Sequence, residues 1–382
     1  MNSTPSLKMS AAPGGRVVVA IPARNEADEL GGCLEALGAQ QEATPDAVVV
    51  CLNNCTDASA SVVREIAPSL PFVVEALEVR LPRERATAGF ARRMAMDRAA
   101  ELAGPAGVVL TTDADGRVAE DWLAGNLAAL ATGVDAVAGQ ADIEPHGARL
   151  IPAHLHAIDA RECAYAALVD EIYALVDPDP YDPWPRHDEH SGASIAVTVE
   201  AYRRAGGLPP VALAEDRALF AALRMVDARI RHAIGVRVVV SARTVGRAAG
   251  GMADTIRRRI AKVDDLLDDR LEPAADSLRR ARLRARLRQA RTETRGGGER
   301  ESALAVAFGL TVARTRELLA MPFLGAAWQA AEAESPVLAR RRVALADLSL
   351  ELAQARRMRD GLRLDATRAE DRAGSQLRAA VG

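Results

Sequence analysis

Apolar positions along this chain follow two regimes. Between residues 16 and 240, short β-branched runs alternate with amphipathic stretches, and beyond Gly251 no strand pattern remains. Residues 16–21 (RVVVAI) and 47–52 (AVVVCL) are continuous apolar runs of the kind buried on both faces of parallel strands. Pro22 is expected to end the first of them. Between the two, Leu30, Cys33, Leu34 and Leu37 recur at helical spacing, so one face of a helix should lie on the sheet. Val62, Val63 and Ile66 mark a second helix, and residues 72–79 a weaker strand. Residues 86–102 read as a helix with Phe90, Met94 and Leu102 inward and Gly104 as its stop. A strand at 108–111, a helix carrying Trp122, Leu123, Leu127 and Leu130, and a strand at 134–139 follow. Strand, polar loop, helix and strand again is the grammar of a parallel α/β sheet.

From residue 141 the pattern loosens. Residues 152–175 read as helix, and the proline-rich stretch at 177–190, DPDPYDPWPRHDEH, is long enough to be a lid or binding segment. A strand at 191–199, a short helix at 200–205, a helix at 215–225 opening on acids and a strand at 236–240 complete this half. Residues 252–382 look helical, with one break at Gly296, Gly297 and Gly298. The expected organisation is therefore an α/β domain over 13–251 and a helical region over 252–382.

Composition changes this picture little. Apolar residues at 49% and charged residues at 26% are ordinary globular values, and a net charge of −3 makes the whole chain no polyanion binder. Cys33, Cys51, Cys55 and Cys163 form neither CxxC pairs nor a histidine-interleaved zinc pattern, which fits a reducing cytosol. The first nine residues lack a signal peptide's apolar core, and no apolar run is long enough to span a bilayer, so a cytoplasmic location is expected. One segment is strongly charged: between Asp276 and Arg295 eight arginines face two acids, with Leu278, Leu283 and Leu287 at partly helical spacing. Such a run is either a solvated helix face packed by its leucines or a surface for peripheral association with an anionic membrane. Without interleaved aromatic residues it does not suit nucleic acid.

The chemistry gathers elsewhere. In LTTDADGRV, residues 110–118, Asp113 and Asp115 stand two apart at a strand's end and so emerge on the same side. Two carboxylates, with phosphate oxygens and water completing the shell, suit Mg2+ or Mn2+, although Asp-Gly is also a common turn dipeptide. Loops at 22–26, 53–57 and 113–115 all follow predicted parallel strands, at the edge where open α/β sheets bind ligands.

Taken in order, VVVAIPARNE, VVVCLNNCTDAS, AGFARRMAMDRAA, VVLTTDADGRV, HSGASIAVTVEAYRRAGGLP and AEDRALFAAL resemble the family 2 glycosyltransferases over residues 17–251. The resemblance implies a GT-A fold, Rossmann-like with a mostly parallel sheet, here carrying an all-α C-terminal extension. It places Pro22, Ala23, Asn25 and Glu26 along the nucleotide, and Asn53, Asn54 and Asp57 at the base, with asparagines where the family has aspartates. Arg92 or Arg93 falls near the diphosphate, Asp113 and Asp115 form the metal-binding DxD motif, and Gly192 and Ala193 line donor sugar and acceptor. Glu215 and Asp216 match the ED pair whose aspartate is the base. Where the family often has a histidine after its last strand, this chain has Ser241 to Arg243, and Arg243 and Arg247 can instead neutralise the diphosphate. His187 and His190 fall on the acceptor side. The activity implied is inverting, Mn2+- or Mg2+-dependent transfer from a nucleoside diphosphate sugar to a saccharide, lipid-linked or small-molecule acceptor. Plainer readings stand beside these: Asn25 and Asp57 as helix caps, and Glu215 and Asp216 as acids at a helix N-terminus. Two rival functions are a sugar nucleotidyltransferase, which needs a glycine-rich loop where this chain has PARNE, and a non-catalytic nucleotide-sugar scaffold, which only Asn53 and Asn54 favour.

Overall fold

The structure is a computed structural model that describes residues 15–241, 243, 252–293 and 297–381. Arg247 lies outside the described residues. In chain order the elements are β1 (Val17–Ala23), α1 (Leu30–Gly38), β2 (Ala47–Asn53), α2 (Ser59–Ile66), β3 (Val73–Val79), α3 (Ala88–Ala103), β4 (Val108–Thr111), β5 (Arg117–Val118), α4 (Trp122–Ala131), β6 (Ala136–Ile143) and α5 (Pro145–Ala148). Then come α6 (Ala153–Val176), β7 (Ile195–Thr198), α7 (Val199–Arg204), α8 (Glu215–Met225), β8 (Ile230–Val240), α9 (Met252–Ala261), α10 (Ala274–Thr292), α11 (Gly297–Phe308), α12 (Val312–Ala320), α13 (Leu324–Glu334) and α14 (Leu348–Val381).

The chain folds as two compact units. One comprises residues up to Pro152 together with Glu189–Ala261, and the other Ala153–Asp188 together with the residues from Lys262 on. A single division at 251 therefore misses α6 and the proline-rich segment, which group with the helical region. The reason is the apolar stripe of α6: Tyr165, Leu168 and Ile172 pack with Leu267, Leu271, Leu348 and Leu352 in a core of their own.

The α/β unit is built on one sheet of order β3-β2-β1-β4-β7-β6-β8-β5 among the described residues. β1 is buried along its whole length, and its alternation sends Val17, Val19 and Ile21 into one core and Val18 and Ala20 into the other. The first core contains Leu30, Leu34 and Leu37 of α1 with Trp122 and Leu123 of α4, and the second the alanines of α3 with Leu219, Phe220 and Leu223 of α8. Pro22 does not end the strand, because it and Ala23 remain paired with Cys51 and Leu52 of β2.

Three features differ from the sequence reading. The sheet is mixed: β1 to β4 run parallel, but β7 pairs antiparallel with both β4 and β6. β7 spans only Ile195–Thr198 of the nine residues expected as strand, and β8 begins at Ile230 instead of 236. On α3 the buried face is Ala91, Ala95, Met96, Ala99 and Ala103, not Phe90, Met94 and Leu102, which are only partly buried. Small side chains let this helix lie close on the sheet, and Phe90 and Met94 turn to a cavity of about 570 Å³ beside Leu81 and Pro210.

In the helical unit several arginines of α10 are matched by acids and carbonyls. Arg280 is buried against both oxygens of Glu272, with Glu332 and the Leu338 carbonyl beyond it. Arg284 and Arg288 both pair with the buried Asp177, and Arg291 donates to the carbonyls of Leu318, Leu319 and Met321 at the end of α12. Leu283 and Leu287 join a second helical core with Phe308 and Leu318. These contacts engage four of the eight arginines that suggested a membrane surface, and Arg282 and Arg286 are exposed. Replacing Asp177 by Ala leaves two half-exposed guanidinium groups without their acid, so it should lower unfolding stability by about 1–3 kcal/mol in urea. An unchanged midpoint would show that the pairing is incidental.

Candidate active site

Sheet register explains why distant segments meet. Ala23 of β1 lies beside Leu52 of β2, and Ala20 beside Thr111 of β4, so the loops after these parallel strands leave from one edge. β7 runs the other way, with Ile195 opposite Thr111, and its entry therefore brings Gly192 and Ala193 to that same edge. A further parallel strand would have placed them at the far end.

At the centre of this edge is Arg92, 3% exposed on the inward face of α3. Its Nε donates to Glu215 Oε1 at 3.1 Å, and Nη1 donates to Thr111 Oγ1 at 2.8 Å and to the Gly192 carbonyl at 2.7 Å. Its Nη2 donates to Asp113 Oδ1 in a charge-assisted bond. Burial works against the charge of Arg92, but Asp113 and Glu215 outweigh it and hold the guanidinium firmly protonated. Gly192 is needed here for space, since a Cβ at this position would lie 2.6 Å from Arg92 Nη2. Arg93 points elsewhere, donating to the Leu208 carbonyl at 3.1 Å and approaching Asp97 at 3.5 Å.

A second guanidinium, Arg243, follows β8. It grips Glu26 with two bonds of 2.8 and 2.7 Å, and its Nη2 lies 3.2 Å from Asp115 Oδ2. Burial and the neighbouring Asp113 and Glu26 push the Asp115 carboxyl up to about 6, with Arg243 working in the opposite direction. Asp115 is therefore a poorly solvated acid among acids. The Cys33 thiol, which donates to the Asp113 carbonyl at 3.3 Å, is pushed up to about 12 by burial and stays neutral.

Asp216 opens α8 next to Glu215. Its Oδ2 accepts from the Gly192 amide at 3.0 Å and its Oδ1 from the Arg217 amide at 2.7 Å, and burial raises its pKa above the ordinary value. Ala214, just before the pair, has φ 54°, a left-handed conformation that costs a residue with a Cβ about 1–3 kcal/mol. Strain of this kind fixes where the two acids point. Nearby, His190 stacks on Phe220 at 4.4 Å, with its Nε2 3.1 Å from that of His232 and 3.0 Å from Arg224 Nη2.

Comparison with known proteins follows from this geometry. Residues 18–192 match the family described as glycosyl transferase family 2, a span containing all of β1 but Val17, the loop with Asp113 and Asp115, and Gly192. Residues 18–192 are thus similar to a family 2 glycosyltransferase domain. No curated protein matches it. Among solved structures, S. aureus TarS 1–349 in complex with UDP-GlcNAc is 15% identical with a TM-score of 0.44, over 92% of each chain. The Pyrobaculum calidifontis mannosyltransferase PcManGT, in complex with GDP-Man and Mn2+, is 20% identical with a TM-score of 0.39, over 92% of this chain and 84% of that one. Glucosyl-3-phosphoglycerate synthase from Mycobacterium tuberculosis is 16% identical with a TM-score of 0.36, over 65% and 77%.

The remaining expected positions are spread between scaffold and edge. Pro22 and Ala23 are buried strand residues, whereas Asn25, at φ 55°, turns the chain out of β1. Asn25 Oδ1 accepts from the Thr56 amide at 2.8 Å and Asp57 Oδ2 from the Ala27 amide at 3.0 Å, so the first two loops are tied together. Asp57 Oδ1 also accepts from the amide and hydroxyl of Ser59 at the start of α2, although the N-cap position itself is Ala58. The Asn54 side chain exchanges two bonds, of 2.9 and 2.8 Å, with the Leu81 backbone. Asn53 donates to the Thr87 carbonyl at 3.1 Å, while its buried Oδ1 has no partner among the described residues. Ala193 is fully buried, directly after the Gly192 that seats Arg92. Thr111 and Ser59 were not singled out from the sequence. Thr111 accepts from Arg92, and Ser59 accepts from the Glu26 amide at 2.9 Å. Two threonines closing an apolar strand, and a serine two residues after Asp57, were the only marks of either.

The carboxylates of Asp113 and Asp115, close to Glu26, are hard oxygen donors of the type that hold Mg2+ or Mn2+ when a ligand's phosphates and water fill the shell. Among the described residues no group of three or more His, Cys, Asp or Glu forms a ready-made cage. The donor set fits a cation carried in with a substrate better than one held by protein alone.

Proposed function

We propose that the chain is an inverting, metal-dependent glycosyltransferase that moves a sugar from a nucleoside diphosphate to an acceptor hydroxyl. The observation that carries this reading is the position of Arg92, which joins an acid of the DxD motif, Asp113, to an acid of the ED pair, Glu215. Donor-side and acceptor-side chemistry are thereby held at one fixed spacing. Asp115, with Asp113, would hold Mn2+ or Mg2+, which when bound offsets charge on the departing diphosphate. Arg243, at the site through Glu26 and Asp115, would meet that diphosphate, Asn25 and Glu26 would follow the nucleotide, and Asn53 would offer its spare acceptor to the base. Asp216 takes the proton of the attacking hydroxyl as general base. Burial raises its pKa, which makes it a stronger base than an exposed aspartate. Attack then occurs from the face opposite the leaving group and inverts the anomeric centre. Four free cysteines, and the absence of any helix among the described residues long and apolar enough to cross a membrane, are consistent with action in the cytoplasm.

The test is a thermal-shift series with UDP and GDP, each with and without Mn2+. One nucleotide with Mn2+ present at about a hundred times its dissociation constant should add roughly 2.7 kcal/mol. The Mn2+-dependent part should vanish in Asp115→Ala. If neither nucleotide shifts the transition under any condition, the donor assignment is wrong.

A further inference from the structure

Arg243 does more in this structure than line the site. Both of its terminal nitrogens are on Glu26, at 2.8 and 2.7 Å, and one of them is also 3.2 Å from Asp115. Glu26 and Asp115 are largely shielded from water, with side-chain exposures of 7% and 15%. Asp113 is already matched by Arg92, which is itself shared with Glu215. Arg243 is thus the cation that balances Asp115, and a divalent ion approaching that carboxylate meets a positive charge a few ångströms away. Like charges at such a distance repel strongly where water is scarce. A diphosphate changes the balance, because its oxygens match the flat fork of a guanidinium and draw it away from Asp115. Glu26 can keep its hold during that shift, since the bond to Asp115 is the longer one.

We infer that Arg243 is a resident counter-ion for the DxD carboxylate, displaced by the donor's diphosphate, so that nucleotide and divalent metal each bind tightly only in the presence of the other. This rests on the proposed function and adds a coupling to it. A plain diphosphate clamp would also weaken nucleotide binding when removed, but it would leave the protein's affinity for metal alone unchanged. The counter-ion role predicts that removing Arg243 strengthens binding of metal alone.

The measurement is a titration of the full chain with Mn2+, reading free Mn2+ by electron paramagnetic resonance, with and without UDP or GDP. Arg243→Gln should bind Mn2+ alone about tenfold more tightly than the parent, and the gain produced by nucleotide should shrink by a similar factor. Arg243→Lys keeps the charge but not the fork, and should fall between the two. Unchanged or weaker binding of Mn2+ alone by Arg243→Gln, with the parent still binding Mn2+ and nucleotide together, overturns the counter-ion role and leaves the donor site standing. Failure of all three proteins to bind Mn2+, with or without nucleotide, overturns the metal site and the coupling together.

Discussion

Asp216→Asn is expected to turn over about 10²- to 10⁴-fold more slowly than the parent while binding donor equally well. The substitution keeps the side chain's shape at the start of α8, with its single oxygen able to accept from one of the two amides, Gly192 or Arg217, that the carboxylate serves. What it removes is the charged carboxylate, the only form basic enough to receive the acceptor's proton. The pH profile supplies an independent reading. A base acts in its ionised form, and burial has raised the pKa of Asp216, so kcat/KM of the parent should climb with pH through a value above that of an ordinary aspartate. The same shift has a sign for stability: the folded state holds this proton more tightly than the unfolded chain, so its contribution falls as pH rises from the unfolded pKa through the folded one. Both dependences should disappear in the variant. Near-normal turnover, or a product whose anomeric configuration by NMR matches the donor's, would remove Asp216 from the role of base.

Arg92→Met should lower unfolding stability by about 2–4 kcal/mol, because it leaves the largely buried Glu215 and the partly exposed, water-screened Asp113 without their shared cation. Methionine roughly fills the volume, so the loss reports charge and hydrogen bonding more than packing. Arg92→Lys should recover only part of it, since an ammonium cannot serve Glu215, Thr111, Gly192 and Asp113 together. A double-mutant cycle is decisive. Removing Asp113's charge as Asp113→Asn should cost less in the Arg92→Met background than in the parent. Additive losses would show that Arg92 and Asp113 are neighbours without coupling, and the link between the donor-side and acceptor-side acids would be lost with it.

The α/β plan, the positions of most strands and the limits of α8 could be read from local pattern, as could the gathering of loops at one sheet edge. These depend on periodicity and on strand ends, which a short window of residues carries in full. LTTDADGRV announced its two carboxylates for the same reason: spacing by two in an extended segment fixes a common face. The buried face of α3 could not be read this way. Its large residues, Phe90 and Met94, suggested one stripe, whereas the sheet takes the alanine stripe beside it and buries Arg92, a residue that is seldom interior without partners.

Tertiary structure alone decided which charges meet. Arg92 finds Glu215 and Arg243 finds Glu26 across separations of 123 and 217 residues, and no local pattern encodes such pairs. The basic run of α10 looked like a surface because its acids, Asp177, Glu272 and Glu332, are scattered through the chain and are brought together only by packing. The same holds for α6, whose apolar stripe was legible while its destination was not. The direction of β7 was likewise beyond the sequence, and it is this reversal that carries Gly192 to the edge where Arg92 and Asp216 wait. By itself the sequence set which residues are apolar, acidic or basic and which local shape each segment takes. Which acid faces which arginine was left to topology, because electrostatic pairing acts through space and is indifferent to the length of chain between.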